Sequence, residues 1–581
     1  MAAGPTYRPV GRIRPSRPEV KRPPRARRVY TDPTRPEPLG LYSPRSGPGL
    51  ASAGHGSGDC SARRFTSGMP PSRTGLRRGR RPNRLAASSG DPMEKREGRS
   101  GAPGLRQAMG FGDVVFYFIT AGVNLQWVAT AAAAGPCAIT LWLISCATMS
   151  LPLAFCVVEL SSRYPQEGGL YVWSKRAFGD FAAFMTGWTY WMSNLPYFPG
   201  VLYFAAGNAL YVAGDRFKHL AGSRTYFIVA STLGLALGTW LNLVGLQVGK
   251  WLNTAGAHAR WVATLLLMGI GATAWLRLGP ATTFSLESLT PGLHLRDLIF
   301  WATIAFALTG FESASFMGEE IRDARRTIPR AIFASAPLIA LIYILGTFSV
   351  LVALPAGEVS SMQGVIDAIA AADSRLGLAW ITPLAAGVIA ISALGSVGAW
   401  LGSTARLPFV AGIDHFLPKS FGRLHPKWRT PHVALWTEAI ITMVCVLLYQ
   451  AGTTVHGAYN ILVSMTVISL LIPFLLLFAS VIKVQREPAG PGVIRVPGGR
   501  PVAILLGAVG FLTTSVAIVL SIFPAPDEPH KTLAVVKVIG LTVLNVGGGA
   551  LVYAVGRRRG VAGVGGGAGS AGSPGTSPRA S

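Results

Sequence analysis

Residues 300–332 read FWATIAFALTGFESASFMGEEIRDARRTIPRAI. The segment opens as an apolar run long enough to enter a bilayer. Gly310 and Glu312 interrupt it, and it closes in a dense patch of charge. A carboxylate inside a membrane costs about 2.5–3.5 kcal/mol on insertion scales and is a functional hypothesis by default. Glycine weakens a helix. Together they predict a helix that breaks at membrane depth and carries an acid at the break.

The rest of the chain supports a membrane setting. Of its 581 residues, 50% are hydrophobic and 14% are charged, against about 25% charged in a soluble protein. From Phe111 to Val555 the apolar residues cluster in runs of roughly 20, the length that crosses a ~30 Å hydrocarbon core as helix. Twelve spans are expected, near 111–134, 137–161, 181–213, 225–246, 252–275, 297–318, 332–354, 379–404, 433–451, 455–482, 501–523 and 532–555.

Basic loop residues orient these spans. With the N-terminus inside, the inner loops hold Arg163, Lys175, Arg176, Lys250, Arg322, Arg325, Arg326, Arg330, Arg406, Lys419, Arg423, Lys427, Arg429, Lys483, Arg486, Arg495, Arg500 and Arg557 to Arg559. The outer loops hold only Arg216, Lys218, Arg224, Arg277, Arg296, Arg375 and Lys531. The bias places both termini in the cytoplasm and reads as a multi-pass protein of the cell membrane. The 214–224 loop, DRFKHLAGSR in its core, is more basic than an outer loop should be. The net charge of +27 lies largely in these loops and in the first hundred residues. It is therefore read as topology, with no nucleic-acid partner.

Residues 1–105 are rich in Arg, Pro, Gly and Ser and have no hydrophobic period, as in RIRPSRPEVKRPPRARR. Such a composition cannot bury enough apolar surface to offset its ordering entropy, so disorder is expected. Met93 opens a plausible short lead into the first span, so the preceding residues also read as a start-site extension. Residues 106–556 form the membrane region, and 557–581 read as a flexible Gly/Ser/Ala tail. The five cysteines make no CxxC pair and read as small apolar residues, with no metal site and no disulfide framework. The nine histidines are scattered. No nucleophile–base constellation, cofactor signature or GxxxxGK[ST] phosphate loop occurs, which argues against an enzyme and against primary transport.

The first and sixth spans share one peculiarity. Each is interrupted mid-span by small and polar residues, FITAGVNLQW in one and AFALTGFES in the other. Five spans separate their starts, so the second enters the bilayer in the opposite orientation. Paired interrupted spans in two inverted halves point to the binding site of a secondary transporter. Broken helices free backbone groups that are tolerated only beside a cavity. A half-helix N-terminus suits a carboxylate and free carbonyls suit an ammonium. One cavity offering both is a receptor for an α-amino acid.

Three separated segments carry a family resemblance. VVELSSRYPQEGGLYVWSKRAFGDFAAFMTGW (157–188), GFESASFMGEEIRDARRTIPRAI (310–332) and STARLPFVAGIDHFLPKSFGRLHPKWRTP (403–431) are similar, in order and spacing, to the amino acid–polyamine–organocation (APC) transporters. The resemblance covers residues 110 to about 555. It implies an all-α integral membrane fold with twelve transmembrane helices: a LeuT-like five-plus-five inverted repeat with two extra C-terminal helices. It further implies that Phe306, four residues before Gly310, closes over the substrate. The carbonyls of Phe306, Ala307 and Thr309 would receive an ammonium, and the amides around Ala121, Gly122 and Val123 a carboxylate. The Gly-Ser-Gly common in the family is Ala121-Gly122-Val123-Asn124 here, so Asn124 adds a side-chain amide. Ser193 and Asn194, with Phe198, map to the third-span contacts with the substrate side chain.

Glu312 has two readings that both stand: a proton-exchanging group for coupling, as in the resembling antiporters, or a brace accepting backbone N–H bonds at the break. His258 and Arg260 lie near the inner end of the fifth span, where some family members use a basic residue in place of sodium. Arg260 is expected to snorkel to the interface, and His258 is a further coupling candidate if it faces the bundle. Glu438 is a lower-ranked coupling candidate. Glu159 and Glu167 read as structural groups at the exit of the second span. Glu319 and Glu320 are expected to form solvated pairs with Arg322, Arg325 or Arg326, worth under about 1 kcal/mol each. The expected function is secondary transport of an amino acid by alternating access, driven by protons or by exchange. A polyamine carrier and a non-transporting amino acid sensor are the alternatives. Side-chain specificity, sodium dependence and oligomeric state are not legible in the sequence.

Overall fold

The structure is a computed structural model describing residues 109–166, 168–378, 380–405, 407, 416–524, 528 and 530–565. The expectations for residues 1–105, Glu167 and Arg406 lie outside these residues.

The described chain is all helical. In order it comprises α1 (Phe111–Gly122), α2 (Leu125–Ala132), α3 (Cys137–Ser145), α4 (Leu151–Arg163), α5 (Leu170–Phe178), α6 (Asp180–Ala209), α7 (Arg224–Val244), α8 (Leu246–Leu278), α9 (Leu286–Leu289), α10 (Leu295–Ala307), α11 (Ala324–Ala353), α12 (Gly364–Leu376) and α13 (Ile381–Thr404). Then follow α14 (His432–Gln450), α15 (Val455–Val484), α16 (Gly499–Leu520) and α17 (Lys531–Gly565). A π-helical turn, Cys146–Ser150, joins α3 to α4 just before Pro152. Proline lacks the N–H that a regular α-ladder would use there.

Nine helices among the described residues are long and apolar enough to cross a membrane, or ten if the bent pair α1 and α2 is one span. The expected twelve also counted α6 and the segment around α10. Neither is among the nine. Helix α6 is rich in Trp, Tyr, Pro, Ser and Asn, and α10 is only 13 residues long before the chain unwinds. Helix α17 runs on through Arg557–Arg559 to Gly565; the rest of the expected tail, 566–581, lies outside the described residues.

Helix α11 lies against α1, α2, α3, α4 and α8, while α10 packs on α2 and α3. Helix α13 packs on α6, α7 and α8, α7 packs on α6 and α8, and α14 joins them through α6 and α7. One close crossing is α8 on α13: a Cβ built on Gly256 would lie 2.5 Å from the Cα of Gly395. Only paired glycines permit that approach.

The ends are tied by polar contacts. Met109, just before α1, donates to the carbonyl of Glu320 (3.1 Å) and accepts from Arg322 N–H (2.9 Å), so the start of the first span is pinned to the segment after the sixth. At the end of α4, Glu159 is buried and accepts from Arg163 Nη2 and Gln485 Nε2, both at 2.8 Å. This bears the structural role expected for it. At the start of α11, Arg326 approaches Asp323 at 3.9 Å and Arg325 donates to the Pro491 carbonyl at 3.1 Å. The expected pairs of Glu319 rest on a side chain outside those described.

Candidate functional site

The first span breaks where the sequence predicts. Helix α1 ends at Gly122, Val123 and Asn124 are extended, α2 starts at Leu125, and the two helices meet at 44°. The break is bridged from α11. Tyr343 Oη donates to the Gly122 carbonyl at 2.6 Å and accepts the Asn124 N–H at 3.1 Å. Trp142 stacks on the Tyr343 ring at 4.6 Å. Asn124 caps α2, its Oδ1 accepting the Gln126 N–H at 3.2 Å, and its Nδ2 donates to Tyr197 Oη at 3.1 Å.

The sixth span unwinds after Ala307 and continues as a 3-10 turn from Ser313 to Glu320. Gly310 sits at φ +116°, a conformation other residues adopt only with strain. Glu312 is 1% exposed. Its Oε2 accepts the Gly310 N–H at 3.0 Å and its Oε1 accepts from Tyr190 Oη at 3.2 Å. The bracing reading of Glu312 is therefore visible directly: the carboxylate closes the broken turn on which it sits. The Phe306 carbonyl is already occupied, accepting from Thr309 N at 3.0 Å and Thr309 Oγ1 at 2.7 Å. A carbonyl has two lone pairs, so an ammonium would have to displace Thr309 there. Ala307 and Thr309 carry the other carbonyls of the unwound turn.

Both breaks open on one cavity of about 80 Å³. Among the predicted residues it gathers Ala121, Gly122, Asn124, Ser193, Asn194, Phe306, Ala307, Thr309, Gly310 and Glu312. The Phe306 ring meets Trp127 edge-on at 5.0 Å and forms part of the cavity wall. Helix α6 runs continuously through Pro196 and Pro199. Ser193 Oγ and Asn194 Nδ2 both donate back to the Tyr190 carbonyl, at 2.6 and 2.8 Å.

Several predicted positions fall elsewhere, among them Phe198, which is buried outside the cavity wall. Val123 is buried away from the central cavity, and its N–H is used by the Ile119 carbonyl at 3.0 Å, so it offers no free amide. His258 is exposed on α8 and its ring bonds the Thr254 carbonyl at 2.8 Å, outside the bundle interior. Arg260 reverses its expectation. It does not snorkel but is 7% exposed, donating to the Thr120 carbonyl of α1 and to Ser396 Oγ of α13. Two residues along α8 turn the side chain by about 200°, which is why His258 and Arg260 part company. Arg260 lines a second cavity of about 150 Å³, which shares Ala121 and Trp400 with the first.

The sequence reading missed Trp127, Tyr190, Tyr197, Trp400, Thr466 and Leu470 in the central wall. Helical spacing from Ser193 and Asn194 points to Tyr190 and Tyr197 on the same face. No local signal marks Trp400, Thr466 or Leu470. Glu438 lies outside this cavity. It is fully buried, accepts from Trp191 Nε1 at 2.6 Å, and its other oxygen has no partner among the described residues. No group of three His, Cys, Asp or Glu among the described residues is placed to hold a metal.

Two opposed spans unwound at a single cavity, in an all-helical membrane protein, define a carrier rather than a channel or an enzyme. The chain belongs to the amino acid permease family, which matches residues 107–544. It is 26% identical over 395 residues to an uncharacterized transporter of Legionella pneumophila, covering 68% of this chain and 84% of the relative. It is 22% identical to a probable agmatine/putrescine antiporter of Lactococcus lactis, covering 66% of this chain and 81% of that protein. Against the human Asc-type amino acid transporter 1 the identity is 26%, over 52% of this chain and 57% of the relative. The protein is thus a multi-pass secondary transporter of small amino acid or amine solutes with a LeuT-like fold, and not an enzyme.

Proposed function

We propose that the central cavity binds a zwitterionic amino acid and carries it across the cell membrane by alternating access. The carrying observation is that both broken spans face one small cavity whose only lining carboxylate is Glu312. On this reading the carboxylate sits at the break between α1 and α2, beside Ala121, Gly122 and Asn124, facing the N-terminal end of α2. Ala307 and Thr309 receive the ammonium, Phe306 closes the site, and Ser193 and Asn194 with Tyr197 face the substrate side chain. Val123 and Gly310 act through the backbone conformation they provide. One half of the inverted repeat rocks against the other around this site.

Glu312 is the proposed proton-coupling group, since it is a titratable side chain that holds the sixth-span turn and lies in the cavity wall. The proposed drive is proton symport or substrate exchange. The loop charges support cytoplasmic termini. A polyamine carrier is the second reading, favoured by the Lactococcus relative. It is disfavoured by the single acid in the wall, because a dication calls for more than one carboxylate. The deciding experiment is a panel of unlabelled amino acids and amines competing for uptake into proteoliposomes, with and without a pH gradient. Competition by neutral amino acids supports the proposal; competition by agmatine or putrescine alone rejects it. Binding without flux would make the chain a sensor.

A further inference from the structure

We propose that the cavity beside Arg260 is a carboxylate-binding station on the cytoplasmic side of the central site, occupied by the substrate's carboxylate as it leaves. This rests on the transporter reading above.

Arg260 is buried, and both acceptors it reaches, the Thr120 carbonyl and the Ser396 hydroxyl, are neutral. None of the ion pairs formed among the described residues includes it. A guanidinium has five N–H donors in a planar fork that matches a carboxylate. A buried cation without an anion is costly, and a charge-assisted pair with a ligand relieves that cost.

The space for such a ligand is present. The cavity measures about 150 Å³. Asn253, Ser396 and Ser403 add neutral polar groups to its wall, with no acid among its lining residues. The Gly256–Gly395 crossing draws α8 onto α13 and so places Arg260 beside Ser396. Ala121 and Trp400 belong to both walls. A carboxylate released from the broken first span therefore meets Arg260 next, and Trp400 stands between the two positions. Asn253 and Ser403 lie toward the helix ends assigned to the cytoplasm.

The test uses the full-length protein in detergent and sodium acetate as the probe, with sodium gluconate at equal ionic strength as the bulky control. Acetate should raise the thermal unfolding midpoint over gluconate by on the order of 2 °C. Ala257→Asp places a counter-ion three residues before Arg260 on the same cavity wall. That variant keeps the buried cation paired, so it should fold, yet it should lose the acetate increment. No increment in the wild-type protein, or an equal increment in Ala257→Asp, overturns the station. An increment with chloride but not acetate also overturns it. The readout requires no transport. If amino acid uptake fails while the acetate increment stands, only the transport reading falls. If uptake succeeds without the increment, only the station falls.

Discussion

Tyr343 donates its hydroxyl to the carbonyl of Gly122 at 2.6 Å, joining residues 221 positions apart in the chain. The same oxygen accepts the Asn124 N–H. One phenol thus serves a donor and an acceptor that the broken first span would otherwise leave unpaired. A broken span needs such a partner because hydrocarbon supplies none.

Tyr343→Phe keeps the stack on Trp142 and removes both hydrogen bonds. Leaving the backbone groups unsatisfied should cost about 1–3 kcal/mol, read as a lower thermal unfolding midpoint. Uptake should fall with it. An unchanged midpoint would mean that water replaces the phenol at the break.

Glu312→Gln keeps the side-chain size and one acceptor oxygen, so one of the two bonds, from the Gly310 N–H or from Tyr190, survives, but it cannot titrate. Transport should persist with a flattened dependence on pH, measured as uptake across a pH series in proteoliposomes. A wild-type pH profile would remove Glu312 as the coupling group and leave its bracing role.

Phe306→Ala removes the ring that packs against Trp127 in the cavity wall. The apparent KM should rise several-fold while folding is retained. Wild-type kinetics would show that the ring does not close over the substrate.

Gly310→Ala tests backbone strain separately from space. A Cβ at Gly310 meets no atom within 4 Å, but φ is +116°. The expected loss is about 1–3 kcal/mol from conformation alone, again by thermal unfolding. Gly256→Val tests the opposite case, since its side chain would strike the backbone of Gly395. Destabilisation of about 1–3 kcal/mol is expected as α8 and α13 part.

The linear chain determined the membrane setting, the two break points and most of the central wall. Apolar run length, loop charge and the Gly310–Glu312 pair are local features, and local features survive being read one residue after another. The partners of those breaks were decided only in three dimensions. Tyr343 bridges the first break from another helix. Trp400, Thr466 and Leu470 reach the cavity from spans that carry no interruption. The fates of His258 and Arg260, two residues apart, depended on which face of α8 met α1 and α13. Helix rotation within a bundle is set by close packing against neighbours such as Gly395, and an apolar helix in lipid does not announce its inward face by composition.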